Sequence, residues 1–143
     1  MTIVLDMDNT LTDEFGSTVR PGIVSLLQRC NNDGHRLVLW TNYKRERAKD
    51  ILSRYNLNKY FSTFIFRENY DPQEKGVAKD IRKIKGDILV DDDPSEISFM
   101  KSIHKRGFKI SSYRKGTKPN PKELSELYSY INKSIGLFGK LFS

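Results

Sequence analysis

Ile3-Val4-Leu5-Asp6-Met7-Asp8-Asn9-Thr10 is the stretch on which the reading of this chain turns. Three apolar residues end abruptly in two acids spaced by one residue. A short apolar run of this kind has the length of a strand buried on both faces. Acids at such an exit are costly to bury without partners. They make sense around a divalent cation such as Mg2+, which takes oxygen ligands in an octahedron and keeps several waters. The alternative is a polar turn capped by Asp, Asn and Thr.

The same punctuation recurs along the chain. Leu37–Trp40 ends in Thr41-Asn42, Phe64–Phe66 is short and aromatic, Ile88–Val90 ends in Asp91, and Phe108–Ile110 is a candidate fifth strand. Between these runs lie segments with helical spacing: Ile23, Leu26 and Leu27 behind Pro21; Ala48, Ile51, Leu52 and Tyr55; Val77, Ala78, Ile81 and Ile84. A fourth carries Ile97, Met100, Lys101 and His104, with Gly107 placed to end it. Strands alternating with helices predict an α/β domain with a parallel sheet covered on both faces. Ligands of such sheets sit beyond the carboxyl ends of the strands. That rule selects Asp6, Asp8, Thr41, Asn42, Asp91 and Asp92.

A second acidic cluster, Asp91-Asp92-Asp93-Pro94-Ser95-Glu96, divides into two jobs. Asp93 suits a helix N-cap, Pro94 the first helical position and Glu96 the capping-box partner. That leaves Asp91 and Asp92 unexplained, and adjacent anions repel unless a cation is near. Two acidic clusters at strand exits favour a metal site over two coincident turns. Thr41 reads equally as a phosphate ligand or a helix cap, and Asn42 is an alternative cap.

The 143 residues suffice for one domain, residues 1–143. Lys and Arg total 25 against 18 Asp and Glu, for a net charge of +7. Such a surface attracts anions, whether phosphorylated proteins, nucleotides, nucleic acid or acidic membranes, or simply maintains solubility. Cys30 is the single cysteine, so no intrachain disulfide forms, which fits a reducing, cytoplasmic compartment. Acids directly behind Met1–Leu5 argue against a signal peptide, and no run approaches the roughly 18 apolar residues of a membrane span. His35 and His104 lack the Cys/His spacing of zinc sites. Cys30 reads as packing and Trp40 as sheet core. Past Gly116, Pro119 and Pro121 mark a break. Residues 122–134 then read as an amphipathic helix with Leu124, Leu127, Tyr128 and Ile131 on one face. A short apolar tail, 135–143, could pack on the domain, self-associate or touch a membrane.

Taken together, these residues resemble the haloacid dehalogenase (HAD) superfamily of phosphotransferases. Its first motif, an apolar strand followed by Asp-x-Asp-x-Thr, is matched by Ile3 to Leu11. Its second, Thr or Ser at a strand end, is matched by Thr41. Its third is a Lys upstream of the last motif, for which Lys75 and Lys79 are candidates. Its fourth, an acidic pair after a strand, is matched by Asp91-Asp92. A narrower resemblance is to the NLI-interacting-factor-like, or FCP/SCP, branch of phosphoprotein phosphatases. It rests on Arg20-Pro21-Gly22, Trp40-Thr41, Phe66-Arg67-Glu68-Asn69 and Val77-Ala78-Lys79-Asp80-Ile81, the last of which favours Lys79. This chain departs from the branch in having only Leu11–Val19 where a peptide-holding hairpin usually stands, and in a shorter Lys79–Asp91 segment.

The resemblance implies a Rossmann-like, three-layer α/β/α fold with a mainly parallel central sheet and no cap domain. It implies Asp6 as nucleophile forming an aspartyl-phosphate, and Asp8 as the acid and base. Mg2+ would be held by Asp6, the Asp8 carbonyl and the fourth motif, Asp92 directly and Asp91 directly or through water. Thr41, Asn42 and Lys79 would bind phosphate. The function so implied is a Mg2+-dependent phosphomonoester hydrolase acting on a phosphorylated Ser/Thr peptide. Two alternatives stay open: a phosphatase of sugar phosphates or nucleotides, and a non-catalytic basic binding module. Nucleic acid is not expected as a partner, since charge alone supports it. Oligomeric state is open.

Overall fold

The computed structural model describes the backbone of residues 1–142 and the side chains of residues 1–133. Five strands, β1 (Thr2–Leu5), β2 (Arg36–Trp40), β3 (Thr63–Ile65), β4 (Ile88–Asp91) and β5 (Arg106–Lys109), form one sheet in the order β3-β2-β1-β4-β5. Every pairing is parallel. The α/β expectation therefore holds, with the bounds of all five strands shifted by one or two residues. Strand order reverses between β1 and β4, so the crevice at their carboxyl ends is the switch point where such folds bind ligands.

Side-chain alternation along the strands builds two separate cores. Ile3, Leu5, Leu37, Leu39, Ile88 and Val90 face one layer, formed by α1 (Ile23–Asn32), α2 (Arg45–Arg54) and α5 (Lys122–Phe142). Val4, Val38, Trp40 and Leu89 face the other, where Met100 of α4 (Pro94–Ser102) and Ile81 of a 3-10 turn at Ile81–Ile84 cover them. Leu127 and Ile131 of α5 are buried, and Leu124 and Tyr128 pack beside them, the face anticipated. The helix runs past residue 134 to Phe142. What the side chains of 135–143 touch lies outside the described residues. No helix is long and apolar enough to cross a membrane among the described residues.

Two local expectations are corrected. The predicted helix over Val77–Ile84 does not form. The amides of Lys75, Gly76 and Val77 bond the Asp71 carboxylate and that of Lys79 bonds Glu96, so they are withdrawn from any helical ladder. Only the 3-10 turn remains, its first amide bond supplied by Asp80 to Arg82. An extra single-turn helix, α3 (Arg67–Tyr70), precedes this segment. Gly107 does not end α4 but sits inside β5, where a Cβ would lie 3.1 Å from Ile97 Cδ1. The helix ends instead at Ser102, capped by Ile103, and His104 takes the left-handed turn at φ 58°. Trp40 is sheet core, edge-on to the Tyr70 ring at 5.3 Å, and Cys30 is buried, its thiol pushed by burial to about 11.

Candidate active site

β1 ends at Leu5, and the next residue, Asp6, is buried with its amide bonded to the Val90 carbonyl of β4. Its two carboxylate oxygens are held separately: Oδ1 lies 2.9 Å from Lys79 Nζ and Oδ2 accepts Thr10 Oγ1 at 3.2 Å. Lys79 Nζ also lies 2.8 Å from Asp91 Oδ2 at the end of β4. The other Asp91 oxygen accepts the Asp93 amide at 3.0 Å. Asp92 is half-buried, oriented by a 2.7 Å bond from Ser112 Oγ. A bond of Asp93 Oδ1 with the Ser95 amide makes it the α4 cap, as anticipated.

These groups line an open cleft of about 510 Å³ with Asp8, Asn9, Asn42, Asp71 and Glu96. Burial drives the Asp6 carboxyl well above the ordinary carboxylate range; Lys79 opposes this, while Asp91 and Asp8 reinforce it. Burial likewise raises Asp8, with Lys79 pulling it back. Burial alone would lower the Lys79 ammonium, but Asp6 and Asp91 outweigh it and hold it well above its usual value.

Asp6, Asp91 and Asp92 each offer an oxygen within 4.8 Å of the others. Against this excess of carboxylate the site holds one ammonium. The Asn9 Oδ1 atom is buried there without a partner, an orphaned acceptor on the same wall. All-oxygen donors with surplus negative charge suit a hard cation such as Mg2+.

The structure thus brings Asp6, Asp8, Asn42, Lys79, Asp91 and Asp92 to one cleft. Thr41 is fully buried at the end of β2 and is not among the lining residues; its Oγ1 accepts the Tyr43 amide at 3.0 Å, leaving its own hydrogen uncommitted. Neither Thr41 nor Asn42 caps α2. Glu68 takes the Arg45 amide at 3.0 and 3.2 Å instead, and Asn42 Oδ1 meets Arg67 Nε and the Tyr70 hydroxyl, each at 3.4 Å. Lys75 is exposed, with only its amide engaged.

Glu96 departs from its expected role. It does not close a capping box but accepts the Lys79 amide through Oε2 at 2.8 Å. Sequence reasoning missed Asp71 altogether, although Asp71-Pro72 followed by Gly76 is a turn signal. It also passed over Ser112, for which no local signal exists.

The sequence model of the NLI interacting factor-like phosphatase family matches residues 1–140. No curated protein matches in sequence. Among solved structures, a candidate beta-phosphoglucomutase from Thermotoga maritima superposes with a TM-score of 0.68 at 15% identity, covering 91% of this chain and 99% of that one. A HAD-superfamily hydrolase from Ehrlichia chaffeensis gives 0.64 at 13% identity, covering 94% and 97%. A chain of the Pnkp1/Rnl/Hen1 RNA repair complex gives 0.61 at 15%, covering 80% of this chain and 43% of that one. At such identities the likeness concerns the fold.

Proposed function

The chain belongs to the NLI interacting factor-like phosphatase family, and on that premise we propose a Mg2+-dependent phosphomonoester hydrolase that works through an aspartyl-phosphate on Asp6. The observation carrying this reading is the buried contact of Lys79 Nζ with Asp6 and Asp91, beside the oxygens of Asp92. An ammonium clamped between two carboxylates at a strand exit has no packing purpose that an apolar side chain would not serve better. It does suit a place where a phosphoryl group arrives.

Asp6, Asp91 and Asp92 are the residues that would hold the cation, which when bound neutralises phosphoryl charge. The Asp6 Oδ1–Lys79 and Oδ2–Thr10 bonds fix the carboxylate plane, which a weak nucleophile needs more than basicity. The Asp6 oxygen attacks phosphorus and the ester P–O bond breaks. Asp8, its carboxyl raised by burial, gives its proton to the leaving oxygen. Asp8, now a carboxylate, takes a proton from water, which attacks the same phosphorus; the bond to Asp6 breaks and inorganic phosphate leaves. In this reading Lys79 and the Asn42 amide donate to the phosphoryl oxygens, while Thr41, buried behind the cleft wall, holds the turn that carries Asn42 by accepting the Tyr43 amide.

A phosphorylated Ser/Thr peptide is the substrate we favour, since the cleft opens to solvent with no second domain above it among the described residues. Small phosphate esters form a second reading. In its favour, Leu11–Val19 is a tight loop wound on the Asp13 carboxylate, not an extended hairpin able to hold a peptide. Turnover across phosphopeptides, sugar phosphates and nucleotides, with Mg2+ and with chelator, tests all of this. Chelation should abolish turnover. Asp6→Asn should lower it on the order of 10³-fold or more while the fold persists. Wild-type rates in folded Asp6→Asn protein would remove Asp6 from its role.

A further inference from the structure

Lys79 supplies the positive charge of the site, yet it stands on no regular element. Between α3 and the 3-10 turn at Ile81–Ile84 the chain has neither helix nor strand. A lysine on such a segment has four rotatable side-chain bonds and no helical or sheet ladder to fix its backbone. Its ammonium nevertheless meets two carboxylate oxygens at 2.8 and 2.9 Å. Something must hold the backbone.

Two carboxylates do so. Asp71, buried, accepts the amides of Lys75 at 2.8 Å, Gly76 at 3.0 Å and Val77 at 3.2 Å. Glu74 and Gly76 adopt φ of 52° and 75°, which wraps the chain around that carboxylate. Glu96, on the first turn of α4, accepts the Lys79 amide itself. Four of the five amides from Lys75 to Lys79 are therefore taken by acidic side chains. Both acids sit in the wall of a cleft already rich in carboxylates. Electrostatics alone would exclude them there, so their retention calls for a task that offsets the repulsion. Amide-to-carboxylate bonds are among the stronger ones, and a carboxylate, unlike an amide, turns two acceptor oxygens toward several N–H groups at once.

We propose that Asp71 and Glu96 are positioning residues that deliver Lys79 to Asp6. Asp71 folds the strap and Glu96 pins its end. Because Glu96 belongs to the helix that starts at the acidic turn, the strap and the turn bearing Asp91 and Asp92 keep one relative placement. The inference rests on the proposed function, in which Lys79 orients Asp6 and neutralises phosphate. A displacement of about 1 Å in such a group costs on the order of 10²-fold in rate.

The two acids make different predictions, which separates positioning from mere charge. Glu96→Gln keeps an acceptor for the Lys79 amide and loses only the charge. Glu96→Ala loses both. Asp71→Asn turns an NH2 group toward amides that themselves donate. The full-length chain is assayed with para-nitrophenyl phosphate and saturating Mg2+ for kcat and KM, with Tm measured for each variant. Glu96→Ala and Asp71→Asn should lower kcat about 10- to 100-fold with KM within about threefold. Glu96→Gln should return kcat to within about threefold of wild type. If Asp71→Asn fails to fold, the Glu96 pair carries the test unaided. Equal losses in Glu96→Ala and Glu96→Gln would overturn the proposal, since charge and not the amide bond would then matter. Wild-type kcat in Glu96→Ala and Asp71→Asn, with Lys79→Ala and Asp6→Asn both inactive, would overturn it and leave the proposed function standing. Full activity in Asp6→Asn would instead overturn the proposed function.

Discussion

Asp91, Asp92 and Asp93 are consecutive, and the structure gives each different company. Asp91 is buried with both oxygens engaged, by Lys79 and by the Asp93 amide. Asp92 keeps one oxygen on Ser112 and turns toward the cleft. Asp93 is exposed and caps α4. In a Mg2+ titration followed by turnover, Asp92→Ala should weaken the metal requirement's apparent affinity strongly, while Asp93→Ala should leave it near wild type. Asp93→Ala should instead cost about 0.5–2 kcal/mol of stability in urea unfolding. The reverse pattern would reassign the triple Asp.

At the scale of elements, two loops are fastened by buried charged side chains, and the first carries Asn9 of the cleft wall. Arg20 is almost fully buried, and its guanidinium donates to the carbonyls of Thr10 at 2.6 Å, Asn9 at 3.0 Å and Ser111, with Glu123 of α5 at 3.4 Å. It staples the loop after β1 to the segment after β5. A lysine keeps the charge but not the planar fork. Arg20→Lys should therefore destabilise by about 2–3 kcal/mol and Arg20→Ala by about 3–5 kcal/mol, read by denaturant melts, with turnover falling as Asn9 and Thr10 shift. The second loop winds on Asp13. Burial would raise that carboxyl, but Ser17, Thr18 and the Phe15 amide outweigh it and hold it at about 2. A depressed folded-state value means the stabilisation is present above the ordinary carboxylate value of 3.8 and is lost as pH falls through about 2. Acid titration of stability should show this loss, and Asp13→Asn, less stable at neutral pH, should lose less between those two limits.

At the scale of the whole molecule, the sheet order places β1 and β4 side by side, so acids far apart in the chain meet at one crevice. A chain of net charge +7 carries a carboxylate-rich cleft. Exposed Lys44 and Arg47 follow Asn42 of the cleft wall in sequence, the latter with its guanidinium 4.6 Å from the Tyr43 ring centroid. Long-range attraction of an anionic substrate is screened once the Debye length shrinks to about 8 Å or less at physiological salt. Raising salt from low to physiological should therefore raise KM for a phosphorylated substrate several-fold with kcat little changed; a salt-independent KM would show that the basic surface does not steer.

Much of this arrangement was legible in the sequence. Apolar runs ending in Asp6, Thr41 and Asp91 mark strand exits, because a strand buried on both faces tolerates no polar residue until it leaves the sheet. The α/β class, the cap at Asp93 and the α5 face rest on such local rules. The strap was not legible. Val77, Ala78, Ile81 and Ile84 have helical spacing, but Asp71 and Glu96 compete for the amides a helix would need, and Glu96 comes from 17 residues away. Gly107 read as a helix stop because its freedom is visible in sequence, while the close approach of Ile97 to β5 that excludes a side chain is not. Local pattern determined where polar groups leave the sheet. Tertiary structure alone decided which acids hold Lys79 against Asp6, since those contacts join segments whose separation in sequence carries no periodic signal.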